Sequence, residues 1–502
     1  MSSKAPAPGG EDGAAQAAVT DILEWLGAPP DPDPAAEIAA LGRNLDRLAD
    51  AHPDSVRLDR ILDLFAKRAQ SAAAAVEQRA VAESAAEPDR RLLLELAESC
   101  GRIARSGARI AGGQGEREPS GVRPSPVLAA ARALGCLSRQ HRLGLLAGAP
   151  AAHGSWREAH RRVREARREL GPDAALLQPS LDVDRTYREM LAMAAAQPAG
   201  LSGREILAAA DYVARFAATV EVMTSAPAET DRRLFWFDPN RDMAPTAVAR
   251  RQPPAGREAV FVSCARLGLL AAEQVRELEA GTAAEHLHLP PEAGEAAYRG
   301  MLQRLHDAWV EPASRQLARR RHRHPVDVCA GFDAVRRLLA LGETSGKDAT
   351  STWTMINESP TGFAIRREDG GSAGMLAGGV VALRAGADRA WDVCVVRWVR
   401  KDEAGGAEAG LQNLSSGGRP VRLAFRSARA AGSTVDGLLF PPAPAVRAHQ
   451  AILVPAGSCA SRRFLMVTEE EHTHVVQGRM VNLDLQTGLV EMFEFQPDPY
   501  PI

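Results

Sequence analysis

The segment Arg319-Arg320-Arg321-His322-Arg323-His324-Pro325-Val326, followed by Asn357-Glu358-Ser359-Pro360-Thr361-Gly362, marks the part of the chain whose reading decides the fold. The first segment has an RxxxR spacing in Arg319 and Arg323, and the second has the form (D/N)xSxxG. Around them, short apolar runs are separated by Gly, Ser and Asp, the pattern of antiparallel strands. Val326-Asp327-Val328 opens the series, and Phe363 and Ile365 share one strand face. From Val393 to Val399 both faces are largely apolar, which suits a strand buried in a small barrel. Ala409-Gly410-Leu411-Gln412 reads as a closing strand. Arginine offers a planar fork that pairs bidentately with phosphate oxygens. Asn357 offers a donor and an acceptor, Ser359 a short hydroxyl, and Gly362 close backbone approach or a positive φ.

The two motifs in this order resemble the PilZ domain family of cyclic di-GMP receptors. The strands Val380-Val381-Ala382-Leu383 and Val395-Val396-Arg397-Trp398 and the segment Gly410-Leu411-Gln412 extend the resemblance, which covers roughly residues 313–417. It implies an antiparallel β-barrel with cyclic di-GMP as ligand. Arg319 and Arg323 would then grip the ligand from an Arg-rich entry linker, while Asn357, Ser359 and Gly362 receive it on the barrel surface. Cyclic di-GMP is a dianion with two guanines, so guanidinium forks serve both its phosphates and the O6 and N7 edge of its bases. Three consecutive arginines leave the register open, and Arg320 or Arg321 could do the work assigned to Arg319. Asp333-Ala334-Val335-Arg336-Arg337-Leu338-Leu339 reads as a helical turn inserted after the first strand, a departure from the simpler family linker.

Working outward, the expected architecture is multidomain α plus β. Residues 1–13, rich in Ala, Pro and Gly, read as disordered. Residues 14–312 read as a helical region, divided into two bundles if the break near 112–126 separates them. Leu58, Ile61, Leu62 and Phe65 form one helix face. Ser202 and Glu205 make a capping box ahead of Ile206, Ala209, Val213, Phe216 and Val220. Tyr298, Leu302, Leu305 and Trp309 make another stripe, ended by Pro312. Leu234–Phe237 and Ala259–Val262 read equally well as short strands or buried turns. The PilZ-like barrel takes residues 313–417, and a second small β module takes 418–502. Val421, Leu423 and Phe425 begin that module, and a hairpin at Thr487-Gly488 ends it, with Phe493 and Phe495 on the return strand.

Composition narrows the function. The chain has 502 residues and a formal net charge of −2, so bulk charge does not draw it to nucleic acid or anionic membrane. Its basic residues are almost all Arg, with Lys only at positions 4, 67, 347 and 401. Six scattered cysteines without a CxxC pair read as buried free thiols in a reducing cytoplasm. No signal-peptide core and no membrane-length apolar run is present, so the reading is a cytoplasmic protein. His472 and His474 beside Glu469, Glu470 and Glu471 are the one histidine cluster weighed as a metal site, and no further ligand at short spacing supports it. Gly370–Gly374 and Gly405-Gly406 lack the phosphate-loop spacings and read as hairpin loops. Trp236, Trp309 and Trp353 read as core aromatics. No spacing nominates a catalytic pair, so neither an enzyme, a cofactor nor a metal is expected.

The functional expectation is a cyclic di-GMP receptor whose helical region engages a protein partner. Two other readings compete. One is an interaction scaffold with a PilZ-like fold that binds no nucleotide. The other is a nucleic-acid binder using the Arg315–Arg323 patch, which near-neutral charge and the lack of neighbouring aromatics oppose.

Overall fold

The computed structural model describes every residue except 1–9, 83–86, 108–124, 171–177, 226–232, 255, 313–319, 342–349, 369–373, 387, 402–406, 426–433, 444–446, 460, 470–472 and 500–502. The chain forms two compact units.

The first unit is mainly helical, from α1 (Gly10–Gly27), α2 (Pro34–Ala51), α3 (Ser55–Ala82) and α4 (Glu87–Ser106) through α5 (Pro126–Leu146), α6 (Ser155–Leu170) and α7 (Gln178–Ala195). After α8 (Gly203–Phe216) come four short strands, then α9 (Ala265–Glu279) and α10 (Ala296–Val310). Its helices bury the stripes read from sequence: Leu58, Ile61, Leu62 and Phe65 are all buried, as are Tyr298, Leu302, Leu305 and Trp309. The capping box is present as expected: Ser202 N donates to Glu205 Oε2 (2.9 Å) and Glu205 N to Ser202 Oγ (3.3 Å). Leu234–Phe237 and Ala259–Val262 resolve as strands. β1 (Glu221–Met223), β2 (Phe235–Phe237), β3 (Thr246–Ala247) and β4 (Val260–Ser263) form a sheet in the order β1-β4-β2-β3.

Two expectations for this unit are corrected. The helix α1 starts at Gly10, so the last residues of the segment read as disordered are helical, although the buried positions of α1 begin only at Val19 and Ile22. The break near 112–126 does not separate two bundles. Arg162 on α6 donates to the carbonyls of Ala104 and Gly107 at the end of α4, and Gln140 on α5 lies against Gly101 on α4. Helices on both sides of the break therefore share one core.

The second unit holds two closed six-stranded barrels. The first comprises β5 (Arg320–Ala330), β6 (Thr350–Ser359), β7 (Gly362–Arg367), β8 (Val380–Arg384), β9 (Asp392–Lys401) and β10 (Ala407–Ser416), in the cyclic order β10-β7-β6-β5-β8-β9. The helical turn read after the first strand is α11 (Phe332–Leu341). The second comprises β11 (Arg419–Phe425), β12 (Val435–Phe440), β13 (Ala451–Pro455), β14 (Arg463–Glu469), β15 (Thr473–Gln486) and β16 (Val490–Pro497), in the order β11-β12-β13-β16-β15-β14. Numbered from its own first strand, each barrel pairs 1-2, 2-3, 3-6, 6-5, 5-4 and 4-1. The C-terminal module is thus a second barrel of the same topology.

This tandem arrangement explains why β9 is apolar on both faces. Cys394, Val396 and Val399 fill the first barrel with Trp353, Met355 and Ile365. Val393 and Val395, on the other face, pack against Leu438, Phe440 and Leu453 of the second barrel and Val335 of α11. Two pieces from earlier in the chain, Gly148–Ala151 and Gln197–Ile206, also belong to this unit. The Gly148 carbonyl accepts from Ala377 N at 2.6 Å.

Candidate functional site

The (D/N)xSxxG segment is the β6–β7 hairpin. Ser359 pairs with Gly362, leaving Pro360-Thr361 as a two-residue loop. Proline fixes a negative φ, so the primed turns favoured in two-residue hairpins are unavailable. The strand instead adapts through a bulge at Ile356, where the β6–β7 register slips between Met355 and Asn357. Ser359 Oγ donates to the Gly362 carbonyl at 3.1 Å and closes the loop. Of the two roles open to Gly362, close approach is the one realised. A Cβ there would sit 2.1 Å from the Leu411 carbonyl oxygen on β10. Asn413 N, further along β10, donates to the Thr361 carbonyl at 3.0 Å.

The Arg-rich segment is partly described. Arg319 lies outside the described residues. Arg320, Arg321 and Arg323 form the start of β5, which pairs antiparallel with β6. The register places Arg321 opposite Asn357 and Arg320 opposite Glu358. Arg321, the second of the three consecutive arginines, is therefore the cross-strand neighbour of the motif asparagine. The register slips again between Arg321 and His324, so Arg323 stands in a bulge. Its side chain is 85% exposed, with Glu368 Oε1 3.9 Å away, a pair too exposed and long to hold it.

Asn357 starts a longer row. It pairs with Ala364 on β7, Ala364 with Gly410 on β10, and Gly410 with Trp398 on β9. Directly opposed residues of antiparallel strands share a face. Ile365, Ala409 and Leu411, the chain neighbours of this row, fill the barrel interior, so the row runs along the outside. The register brings Arg321, Asn357 and Trp398 onto one line across five strands. Trp398 was not singled out in the sequence, because only strand register reveals its alignment with Asn357. Its indole lies over Gly410: a Cβ on Gly410 would come within 2.1 Å of Trp398 Nε1. Bulges are common beside functional sites, and here β5, β6 and β9 each carry one along this line.

Elsewhere, Trp236, Trp309 and Trp353 are buried, as expected of core aromatics. Burial pushes the thiols of Cys100 and Cys264 up to about 12, and the described cysteines are unpaired. His472 lies outside the described residues and His474 is exposed. Among the described residues no cluster suits a metal ion, and no helix is long and apolar enough to cross a membrane.

The fold and this hairpin define a class, that of PilZ-domain proteins: residues 340–420 match the family described as the middle PilZ domain of the cyclic-di-GMP receptor FimW. Residues 20–227 match the family described as the N-terminal domain of the same receptor. It is 24% identical over 180 residues to the cyclic-di-GMP receptor FimW of Pseudomonas aeruginosa, an alignment covering 35% of this chain and 28% of that protein. The matched PilZ range begins after β5, so the arginines of β5 reach it through strand pairing rather than through the match itself.

Proposed function

We propose that this protein is a receptor for cyclic di-GMP and binds it on the outer surface of the β5–β10 barrel. The observation that carries the reading is the register joining Arg321 to Asn357, with the exposed Arg323 in the neighbouring bulge. It puts Arg321 and Asn357 at directly opposed backbone positions, two residues before the Ser359–Gly362 turn. The match to the FimW domains supports cyclic di-GMP as the dianion in question.

Each group has a role. Arg323, and Arg319 ahead of it, close over the ligand from the entry strand and take phosphate oxygens or a guanine edge. Asn357 pairs with a base. Ser359 and Gly362 act through the hairpin, whose shape they fix. This is recognition without bond making, so the protein is read as a binding protein rather than an enzyme. The output follows from a population shift. The entry strand continues directly from the helical region in sequence, and ordering it over a ligand favours the helical conformation that engages a protein partner.

The test is a panel of Arg323→Ala, Arg321→Ala and Asn357→Ala titrated with cyclic di-GMP by calorimetry. Charge-assisted bonds contribute about 1.5–3 kcal/mol each, so each arginine variant should bind roughly ten- to a hundredfold more weakly. Wild-type affinity in all three would remove the site from this surface. A non-binding scaffold would show no saturation in any protein, wild type included. Salt-sensitive binding to duplex nucleic acid instead would revive the Arg315–Arg323 patch as its interface.

A further inference from the structure

Because the two barrels share a topology, one surface can be followed from the first to the second. In the first barrel the row that carries Asn357 starts at Arg321 on β5. It crosses β6, β7, β10 and β9 through Asn357, Ala364, Gly410 and Trp398. The matching strands of the second barrel are β11, β12, β13, β16 and β15. An outward row on them runs through Pro420, Leu438, Leu453, Met492 and Leu485. None of these five residues carries a charge or a side-chain donor.

That surface of the second barrel is also occupied. Leu438 and Leu453 are 0% exposed and Met492 6%. They belong to one apolar cluster with Val380 of β8, Val393 and Val395 of β9, and Val335 of α11. The next outward row holds Phe440, Ala451, Glu494 and Asn482. Phe440 and Ala451 join the same cluster, and the one charge in the row is a carboxylate, which repels a phosphodiester anion.

The connection between second and third strands differs in the same sense. In the first barrel it is the tight Ser359–Gly362 hairpin. In the second it carries Arg447, which is 4% exposed. The Arg447 guanidinium is turned into the contact between the barrels. It donates to the Pro441 carbonyl at 3.1 Å and to the Leu414 carbonyl of β10 at 3.4 Å. A further tie comes from α11, where Arg336 Nη2 stands 2.8 Å from Asp436 Oδ2 on β12.

We propose that the second barrel is a copy of the first in which this surface has become the seat of its neighbour, so that each chain presents one dinucleotide-binding surface and not two. This rests on the receptor reading and adds to it the number of sites and the role of the second barrel. A ligand could reach the seat only by parting β9 from Leu438 and Leu453, which would expose apolar surface on both barrels. β9 stands at the junction: Val393 and Val395 rest on the seat, while Cys394 and Val396 fill the first barrel. Weakening the seat therefore loosens the first barrel as well.

Equilibrium dialysis of the full chain against labelled cyclic di-GMP reads how the binding capacity divides between the barrels, with Arg321→Ala/Arg323→Ala compared to wild type. Each arginine contributes roughly ten- to a hundredfold in affinity, so the double variant should lose essentially all capacity at ligand concentrations that saturate wild type. The surviving fraction is read rather than the count, so the result holds for one or two ligand molecules per surface. Half the capacity surviving at wild-type affinity would overturn the proposal, because the second barrel would then be binding. The seat itself is tested by amide exchange in Leu453→Ala, which should quicken roughly tenfold or more in β8 and β9 as well as in β13. Quickening confined to β11–β16 would overturn the seat. If Leu453→Ala does not fold, Leu453→Val makes a smaller cavity and is read in the same way. Full capacity in the double variant brings down the placement of the site, and a wild type that binds nothing brings down the receptor reading. Both are distinguishable from surviving half-capacity.

Discussion

Replacing Gly362 with alanine should loosen the barrel on one side while leaving its other strands intact. The added Cβ would stand 2.1 Å from the Leu411 carbonyl oxygen, where contacts under 3.0 Å essentially do not occur. The obstruction is backbone, so no side chain can swing away. β7 and β10 must part by about 1 Å to restore ordinary contact. Two ladder positions sit at that end, Gly362 with Gln412 and Phe363 with Leu411. Weakening their hydrogen bonds costs about 1 kcal/mol each, and the displaced packing adds about 1–3 kcal/mol. The expected local loss is about 3 kcal/mol, a large share of the stability of an ordinary domain. A chain of two units need not unfold in one step, so the loss is best read locally, by amide hydrogen exchange. Protection of peptides spanning 362–367 and 407–412 should fall roughly hundredfold. Strands β11–β16 should keep theirs. Unchanged protection in β7 and β10 would refute the argument that backbone approach, rather than ligand, dictates this glycine.

Three further outcomes follow from other parts of the structure. Arg323→Ala should leave stability within about 0.5 kcal/mol, since the side chain is 85% exposed, while weakening ligand binding; a thermal-unfolding comparison beside the titration separates the two effects. Ser202→Ala removes half of the capping box and should destabilise the start of α8 by about 1 kcal/mol, read as faster amide exchange in its first turn. His160 on α6 is 1% exposed, accepts from Tyr187 OH at 2.8 Å and donates to the Met243 carbonyl at 3.1 Å; burial is the main reason its pKa is lowered to about 4. The neutral form is the folded one, so its contribution is complete above the unfolded value near 6.5 and is lost as pH falls toward 4. Between pH 7.5 and 5 this one group should cost the helical unit about 2 kcal/mol, measured by denaturant unfolding against His160→Gln, which should show a shallower pH dependence.

Much of this architecture was legible because local pattern and tertiary burial agree. The stripes of α3 and α10, the capping box of α8 and the alternation of β7 and β11 each state their buried face directly. Where a strand is apolar on both sides, as β9 is, the sequence indicates burial but not what covers it. The second barrel supplies the cover, and its identity with the first in topology is visible only from strand order. The site divides in the same way. The hairpin motif was readable because Asn357, Ser359 and Gly362 lie within six residues. The partner of Asn357 among the arginines was not, because bulges on β5 and β6 reset the register between them. The alignment of Trp398 with Asn357 was hidden for the same reason: it runs through Gly410 and Ala364, on strands that are distant in sequence.

The central claim is that this barrel recognises cyclic di-GMP, and calorimetric titration of the purified full chain tests it most directly, with GTP and cyclic GMP as controls. The account predicts saturable binding of cyclic di-GMP, with neither control competing at comparable concentration. No heat of binding at millimolar cyclic di-GMP, or equal binding of all three nucleotides, would contradict it.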